Sequence, residues 1–166
     1  MSKALYINHE KCTGCRLCEL VCAVKHDGIS NPARSRIRVM KWEHEGLYVP
    51  MSCQQCQDAP CMNVCPVKAI SKDEKLGAMM IDYDVCIGCR SCVAVCPFGA
   101  MSFNVIDKKV FKCDLCEGDP QCVRFCEEKA VDFVEPDEVS IAKKRTAAER
   151  ISNAAKEGAT LLSQHS

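Results

Sequence analysis

Cys86-Ile-Gly-Cys89-Arg-Ser-Cys92-Val-Ala-Val-Cys96-Pro97 is the stretch of sequence that decides the fold of this chain. Its cysteines follow the spacing C-x2-C-x2-C-x3-C, and a proline comes directly after the last of them. Three more groups of four cysteines have related spacings. Numbered in chain order, group one is Cys12, Cys15, Cys18 and Cys22, group two is Cys53, Cys56, Cys61 and Cys65, group three is the stretch quoted above, and group four is Cys113, Cys116, Cys122 and Cys126. Together the four groups use all 16 cysteines.

The spacing of group three is typical of [4Fe–4S] ligation in bacterial ferredoxins, where three cysteines hold one cube and the fourth ligates a neighbouring cube. Four groups of this kind predict four [4Fe–4S] clusters, and they predict electron transfer as the chemistry of the chain. Gly14 and Gly88 lie at matching positions of groups one and three, where the backbone has to approach a cluster closely. We expect no catalysis on an organic substrate, because the sequence shows neither a glycine-rich nucleotide loop nor a flavin motif.

Two other chemistries use closely spaced cysteines. Disulfides form in oxidising compartments, and no feature of the sequence points to export. Structural zinc sites usually take two Cys-x2-Cys pairs separated by roughly a dozen residues or more, whereas groups one and three place three cysteines at steps of three. A structural zinc protein that only holds partners together stays the alternative from another functional class.

Charge and hydropathy exclude further classes. The 166 residues include 22 basic and 22 acidic ones, so the chain lacks the basic excess that nucleic-acid binding favours. No apolar stretch is long enough to span a membrane, and no signal peptide is recognisable. We therefore expect a cytoplasmic protein, with export on a signal-bearing partner as the alternative. We also expect the chain without metal to stay unfolded, because its apolar side chains are too few for a self-sufficient core.

The segments between the cysteine groups have the composition of short strands. Residues 36–52 alternate charged and apolar side chains around a turn at 44–46, and residues 101–111 form a second such pattern around 107–108. The predicted class is α+β, with each cysteine group followed by a β-hairpin. Further predicted elements are strands over 4–8, 76–85 and 130–134, a helical turn through Leu17, Leu20 and Val21, and a helix over 138–157.

The residue after the last cysteine divides the groups into two pairs. Proline follows Cys65 and Cys96 in groups two and three, whereas Ala23 and Glu127 stand there in groups one and four. Pairing neighbouring groups is the simplest arrangement, but this pattern favours two nested two-cluster ferredoxin modules. The predicted boundaries are an inner module over 36–97, an outer module over 1–35 and 98–135, and a helical tail over 136–166.

The order of the groups, and above all the Cys-x2-Cys-x4-Cys-x3-Cys-Pro of group two, resembles the iron–sulfur subunits of the dimethyl sulfoxide reductase and formate dehydrogenase family. The resemblance covers about residues 3–135 and implies the nested arrangement. The ligand sets that it implies are Cys12, Cys15, Cys18 and Cys126; Cys113, Cys116, Cys122 and Cys22; Cys53, Cys56, Cys61 and Cys96; and Cys86, Cys89, Cys92 and Cys65.

The resemblance also implies partners. The fourth cysteine group is short and the chain lacks long insertions. In these two features the chain is, within the family, most similar to the small subunits of tungsten aldehyde oxidoreductases. The expected partner is then a tungsten or molybdenum pterin subunit, with a flavin/NAD subunit or a ferredoxin as the further redox partner. Subunits of carbon monoxide dehydrogenase, formate dehydrogenase or hydrogenase stay alternatives, as does a free polyferredoxin.

Three remaining features have competing interpretations. The tail is expected to contact a partner subunit or a second copy of the chain, which would allow a longer chain of clusters, rather than to pack on the ferredoxin body. A basic cluster of Arg34, Arg36, Arg38 and Lys41 is expected to be a solvated strand face, with a docking patch for an acidic partner as the alternative. Surface positions are expected for the histidines His9, His26, His44 and His165.

Overall fold

The computed structural model describes residues 3–135 together with Ala148. Its short helices and two-stranded sheets are of the α+β class predicted from the sequence. The helix predicted over 138–157 lies outside the described residues, apart from Ala148. The strands are β1 (Ala4–Ile7), β2 (Arg38–Trp42), β3 (Leu47–Met51), β4 (Ile70–Lys72), β5 (Met79–Ile81), β6 (Ser102–Asn104), β7 (Lys109–Phe111) and β8 (Val131–Val134). The helices are α1 (Leu17–Asp27), α2 (Pro60–Asn63), α3 (Ser91–Val95) and α4 (Gln121–Arg124), with 3-10 turns at His9–Lys11, Pro32–Arg34 and Leu115–Gly118.

The strands form four antiparallel two-stranded sheets, and three of them lie between consecutive cysteine groups. Hairpins β2–β3, β4–β5 and β6–β7 follow groups one, two and three, but the prediction of a fourth hairpin after group four is wrong. Strand β8 pairs instead with β1, so that Ala4 lies opposite Val134 and Ile7 opposite Val131. The fourth sheet therefore ties the segment before group one to the segment after group four.

The strand predicted over 76–85 is wrong in length. Strand β5 ends at Ile81, and its partner β4 is not among the predicted strands. A turn begins at Asp82, whose carboxylate accepts the N–H of Asp84 at 2.9 Å and whose carbonyl accepts the N–H of Cys86 at 3.0 Å. Because an aspartate can bond its own backbone in this way, the strand gives way to the turn that leads into group three.

Helix α1 is longer than the predicted helical turn. Arg16 precedes it in the left-handed region at φ 63°, and Gly28 ends it at φ 70° with its N–H bonded to the carbonyl of Val24. Cys18 and Cys22 lie four residues apart on this helix and share one face. In the other groups the helix ends before the fourth cysteine. None of the helices in the described part of the chain has the length and apolar character needed to cross a membrane.

Three small cores hold the described chain together. The first lies around groups two and three and contains Ala59, Ile70, Met79, Cys92, Met101 and Val110. The second lies between groups one and four and contains Cys22, Ile37, Cys122 and Val131. The third contains Ala78, Cys113 and Leu115, with Cys53 packed against them. Because Cys53 belongs to group two and Cys113 to group four, this third core connects the other two regions.

Two hairpins pack against a different region from the one that the predicted boundaries assign to them. Val110 of β7 belongs to the core around groups two and three, although residues 98–135 are predicted in the outer module. In β2, the N–H of Val39 donates to the carboxylate of Glu19 in α1 at 2.7 Å, although residues 36–97 are predicted in the inner module. By packing, β2–β3 therefore belongs with group one and β6–β7 with group three.

Gly88 allows the first loop of group three to lie on the turn between β6 and β7. Its φ is +66°, and a Cβ at this position would lie 2.7 Å from the backbone oxygen of Lys108. Gly46 has a similar φ of +64°, but a Cβ there would meet nothing within 4 Å. An alanine at either position has to adopt the left-handed backbone conformation, which costs about 1–2 kcal/mol. The difference in stability between the two variants therefore measures the contact with the hairpin.

We predict that Gly88→Ala lowers the iron content and the temperature of cluster loss more than Gly46→Ala does, because only Gly88→Ala forces two backbone segments apart. Iron analysis and thermal bleaching of the visible absorbance, both without oxygen, measure the effect. Equal losses in the two variants would contradict the contact as the cause.

Candidate iron–sulfur sites

Three cavities are each lined by four of the cysteines. In each cavity three cysteines come from one group and the fourth comes from another. Site A is lined by Cys12, Cys15, Cys18 and Cys126. Site C is lined by Cys53, Cys56, Cys61 and Cys96. Site D is lined by Cys65, Cys86, Cys89 and Cys92.

The remaining four cysteines, Cys22, Cys113, Cys116 and Cys122, lie together as site B. Burial raises the pKa of the Cys122 thiol, and the nearby sulfur atoms of Cys113, Cys22 and Cys116 raise it further. Cys22, Cys113 and Cys122 are buried and Cys116 is half-buried. No disulfide joins any of the 16 cysteines. The fold therefore gathers all of them into four quartets of free thiols.

The chemistry of the quartets fits iron in sulfur coordination. Burial raises the pKa of Cys18 in site A to about 12 and that of Cys113 in site B to about 12. Thiolates that lie together away from water need a bound cation, because otherwise they lose hydration and repel each other. Ligand sets made only of thiolates select iron–sulfur clusters or zinc and reject oxygen-seeking cations. The donor atoms therefore suit the predicted clusters.

Two sites have one exposed cysteine each. Among the 16 cysteines, only Cys15 in site A and Cys89 in site D are exposed. The hydroxyl of Ser91 lies 3.5 Å from the sulfur of Cys89, and its hydrogen bond lowers the pKa of that thiol. Sites B and C contain only buried or half-buried cysteines. Sites A and D therefore reach the surface more openly than sites B and C.

The fourth cysteine in each of groups two, three and four is followed by the same turn. In each turn the sulfur accepts the N–H of the alanine four residues later, at 3.3 Å for Ala69, 3.4 Å for Ala100 and 3.3 Å for Ala130. The residue before each alanine has a positive φ, and these residues are Lys68, Gly99 and Lys129. A backbone N–H that points at sulfur stabilises its negative charge and is one of the factors that set cluster potentials.

Group one departs from this pattern. Its fourth cysteine, Cys22, lies inside α1, and its sulfur accepts the N–H of Arg36 at 3.3 Å from a distant segment. Group four has Glu127 where groups two and three have proline. It nevertheless forms the same turn after its fourth cysteine as groups two and three do. The absence of proline therefore marks no shared local structure of groups one and four.

Glu19 is a buried acid beside site A. Its side chain is 1% exposed, and it accepts hydrogen bonds from the Arg16 guanidinium at 2.7 and 2.9 Å and from the N–H of Val39 at 2.7 Å. On the other side of the loop, a Cβ at Gly14 would lie 2.6 Å from the ring of Tyr48 in β3. Gly14 therefore lies directly against this hairpin, which holds the loop of group one in place, and its predicted close approach to a cluster stays a prediction.

The basic cluster is occupied by contacts within the chain. Arg34 pairs with Asp27 and Asp107, both at 3.3 Å, and Lys41 pairs with Glu43 at 3.5 Å. The other two members also have partners within the chain: Arg36 pairs with Asp114, and Arg38 donates to the carbonyl of Pro32. The predicted solvated strand face fits only Arg38 and Lys41, which are exposed on β2, whereas Arg34 and Arg36 precede the strand and are half-buried. The contacts within the chain favour a structural role over a docking patch.

The histidines are only partly as predicted. His9 and His44 are exposed, and His165 lies outside the described residues. The prediction for His26 is wrong, because its side chain is only 11% exposed. Its Nε2 lies 3.5 Å from the sulfur of Cys116 and 3.6 Å from the carboxylate of Asp114. Burial and the nearby Arg36 lower the pKa of His26. Its spacing from the cysteines in the sequence gave no signal of this contact.

Comparison with known protein families defines the class of these sites. A model of the 4Fe-4S dicluster domain matches residues 44–136, and a model of the 4Fe-4S binding domain matches residues 5–22. Together with the cysteine quartets, these matches define an electron-transfer iron–sulfur protein with multiple [4Fe–4S] clusters. The first match covers more than half of the 166 residues, and the chain belongs to the 4Fe-4S dicluster domain family. Iron–sulfur chemistry is therefore favoured over the zinc alternative.

Three relatives show how this family is used. The polyferredoxin-like subunit of an aliphatic sulfonate oxidoreductase from Pyrococcus furiosus is 44% identical over 77% of this chain and 73% of that protein. A putative electron transport protein, YsaA of Escherichia coli, is 41% identical over 84% of this chain and 94% of its own length. The B subunit of the E. coli anaerobic dimethyl sulfoxide reductase is 36% identical over 81% of this chain and 74% of its own length. The resemblance to the dimethyl sulfoxide reductase subunits is confirmed, while the likeness to tungsten aldehyde oxidoreductase subunits stays a prediction.

Removal of iron is predicted to unfold the described region. The three cores contain or contact cysteines of the quartets, and burial alone disfavours the charged form of several of these thiols. An iron chelator under reducing, oxygen-free conditions should therefore abolish the near-ultraviolet circular dichroism together with the visible absorbance. Dichroism that persists after all iron has been removed would contradict this linkage.

Proposed function

We propose that this chain relays electrons through four [4Fe–4S] clusters, one in each of sites A to D, as a non-catalytic subunit of an oxidoreductase complex. The observation that carries the proposal is the arrangement of all 16 cysteines in quartets, each with one cysteine taken from a different group. That exchange of the fourth ligand is the arrangement of two-cluster ferredoxins. The proposed ligands of each cluster are the four cysteines of its site.

The proposed ligand sets give two nested modules. Groups one and four share sites A and B, and the helices α1 and α4 of these groups contact each other. Groups two and three share sites C and D, and α2 contacts α3 in the same way. Taking the hairpins with the groups that they pack against, we propose an outer module over 3–52 and 113–135 and an inner module over 53–112.

The packing supports the order A, B, C, D for the relay. Cys18 of site A packs against the core that contains Cys22 and Cys122 of site B. Cys53 of site C packs against the core that contains Cys113 of site B. Cysteines of sites C and D line one common core around groups two and three. Each site thus shares a core with the next one, and sites A and D stand at the ends.

The chain contributes position, shielding and charge. The bound clusters supply the electron-carrying chemistry. Cysteines on short helices and turns hold each cluster in place, and the three cores contain the four buried cysteines, Cys22, Cys92, Cys113 and Cys122. Hydrogen bonds from Ala69, Ala100, Ala130 and the Arg36 backbone to sulfur, together with nearby charges, set the potentials. The exposed Cys15 and Cys89 mark the two ends at which electrons enter and leave.

The catalytic partner that we propose is a tungsten or molybdenum pterin subunit. Two relatives bear the names of oxidoreductase subunits, one of an aliphatic sulfonate oxidoreductase and one of dimethyl sulfoxide reductase. The tail over 136–166 is proposed to contact this partner or a second copy of the chain. A free polyferredoxin is the second candidate, because YsaA is named as an electron transport protein rather than as a subunit.

Substitution of Cys126 tests the ligand sets. The wild-type chain should contain as many iron atoms and acid-labile sulfides as cysteines, 16 of each. Cys126→Ser is predicted to alter the electron paramagnetic resonance signal that Cys15→Ser also alters, because both residues line site A. Cys96→Ser is the matched control and should alter a different signal, since Cys96 lines site C. If Cys126→Ser instead alters the signal that Cys89→Ser alters, the nested arrangement is wrong.

Anaerobic purification of the chain from its own cells tests the partner. A subunit at fixed stoichiometry that contains tungsten or molybdenum is expected to purify with the full chain and to be lost from a chain truncated after residue 135. The truncated chain should retain its iron, because all 16 cysteines precede the cut. Purification of the full chain without a partner would favour the free polyferredoxin, and an unchanged complex after truncation would exclude the tail as the contact.

A further inference from the structure

Lys112 is a buried cation between two of the cluster sites. It stands directly before Cys113 and after β7, and it is 2% exposed. Among residues 3–135, no other lysine or arginine is buried to this degree. Lysine is almost never fully buried unless it is paired, so this position calls for a physical reason.

The contacts of Lys112 reach both neighbouring sites. Its Nζ donates hydrogen bonds to the carbonyl of Cys113 at 2.8 Å and to the carbonyl of Met79 in β5. The sulfur atoms of Cys53 and Cys61 in site C and of Cys113 in site B lie close enough to interact electrostatically with the ammonium. No acidic side chain in the described part of the chain forms a hydrogen bond or an ion pair with Lys112. The carboxylate of Asp114 also interacts electrostatically with the ammonium, but less than the three sulfur atoms do, so the main counter-charges of Lys112 are the sulfur atoms of the cysteines.

Gln55 also connects the two backbone segments that Lys112 contacts, at Cys113 and Met79. Its side-chain Nε2 donates to the carbonyl of Cys113 at 2.9 Å, and its Oε1 accepts the N–H of Met79 at 2.7 Å. Gln55 lies between Cys53 and Cys56 in the loop of group two. The two side chains thus bridge the same pair of backbone segments, one with a charge and one without.

We propose that Lys112 is an electrostatic tuning residue that raises the reduction potentials of the clusters in sites B and C relative to those in sites A and D. The inference rests on the proposed ligand sets. A cluster held by four thiolates is an anion, and reduction adds one further negative charge to it. A fixed ammonium nearby therefore stabilises the reduced form more than the oxidised form. Because the interaction crosses a buried region, water screens it far less than it screens a surface lysine.

The two clusters that share this cation are the middle pair of the proposed relay. Two reduced clusters next to each other repel, and a cation between them lowers that repulsion as well as raising each potential. Beside site A the nearby cation is Arg16, and its charge is neutralised by an ion pair with the buried carboxylate of Glu19. Lys112, which has no acidic hydrogen-bond partner, therefore favours an electron in the middle of the proposed relay.

Substitution of Lys112→Met tests this inference by potentiometric titration followed by electron paramagnetic resonance. Two of the four reduction potentials are expected to fall by about 59 mV or more. For a one-electron couple this is a decrease of about tenfold in the equilibrium constant for reduction. The other two are expected to move much less. Lys72→Met removes an exposed lysine from β4 of the same module and is the matched control, which should leave all four potentials in place. Four unchanged potentials in Lys112→Met, or four equal shifts, would overturn the inference.

A second variant keeps the inference testable if Lys112→Met loses iron. Gln55→Glu retains Lys112 and the acceptor for the Met79 N–H, but it places a negative charge beside Cys53 and Cys113. The same two potentials are expected to fall in this variant, and an unchanged set would overturn the inference. The iron and sulfide contents of the wild-type chain show whether the proposed function or only the role of Lys112 is wrong. A wild-type chain without four clusters refutes the proposed function, whereas four clusters with insensitive potentials refute only the role of Lys112.

Discussion

The structure depends on burying sulfur atoms in quartets whose members come from distant parts of the chain. Site A joins group one to Cys126, and site B joins group four to Cys22. Of the 16 cysteines, 11 are members of the hydrophobic cores or pack against them, so most of the cysteine sites coincide with the tertiary contacts. Since burial raises the pKa of several of these thiols, a bound cation has to compensate the charge of the ligands. We therefore expect metal binding and folding to be one process.

The local chemistry of the chain could be predicted from its sequence, whereas long-range pairing could not. Cysteine spacing indicated the clusters, and alternating side chains located β2–β3 and β6–β7, because both signals lie within a few residues. The pairing of β1 with β8 was missed as a sheet, since neither strand carries a mark of its partner. The packing of hairpins β2–β3 and β6–β7 could not be read from the sequence for a similar reason, and the module boundaries stay a prediction. Val39 is placed by the carboxylate of Glu19, a contact between residues that no spacing rule connects.

A more informative signal was present in the sequence after the fourth cysteine. Proline follows that cysteine only in groups two and three, but an alanine stands four residues after it in groups two, three and four. The alanine N–H bonds the sulfur in all three cases, so the turn depends on the residue with positive φ and on a small side chain that can be buried. Proline adds rigidity to this turn without being required for it. Group one lacks the turn because its helix continues through Cys22.

Cysteine spacing also correlates with position in the proposed relay. Groups one and three have two residues between their second and third cysteines. Each contributes three cysteines to the lining of site A or site D, which contain the exposed Cys15 and Cys89. Groups two and four have longer insertions at this point, and each insertion contains a proline next to the start of a short helix: Pro60 is the first residue of α2, and Pro120 directly precedes α4. These groups supply sites B and C in the middle. The longer loops place more backbone around the inner sites, and Lys112 and Gln55 lie between them. A module that pairs one short-spaced group with one long-spaced group therefore has an outward and an inward site. In the proposed relay, two such modules are joined through their inward sites and form a continuous path with an exposed cysteine at each end.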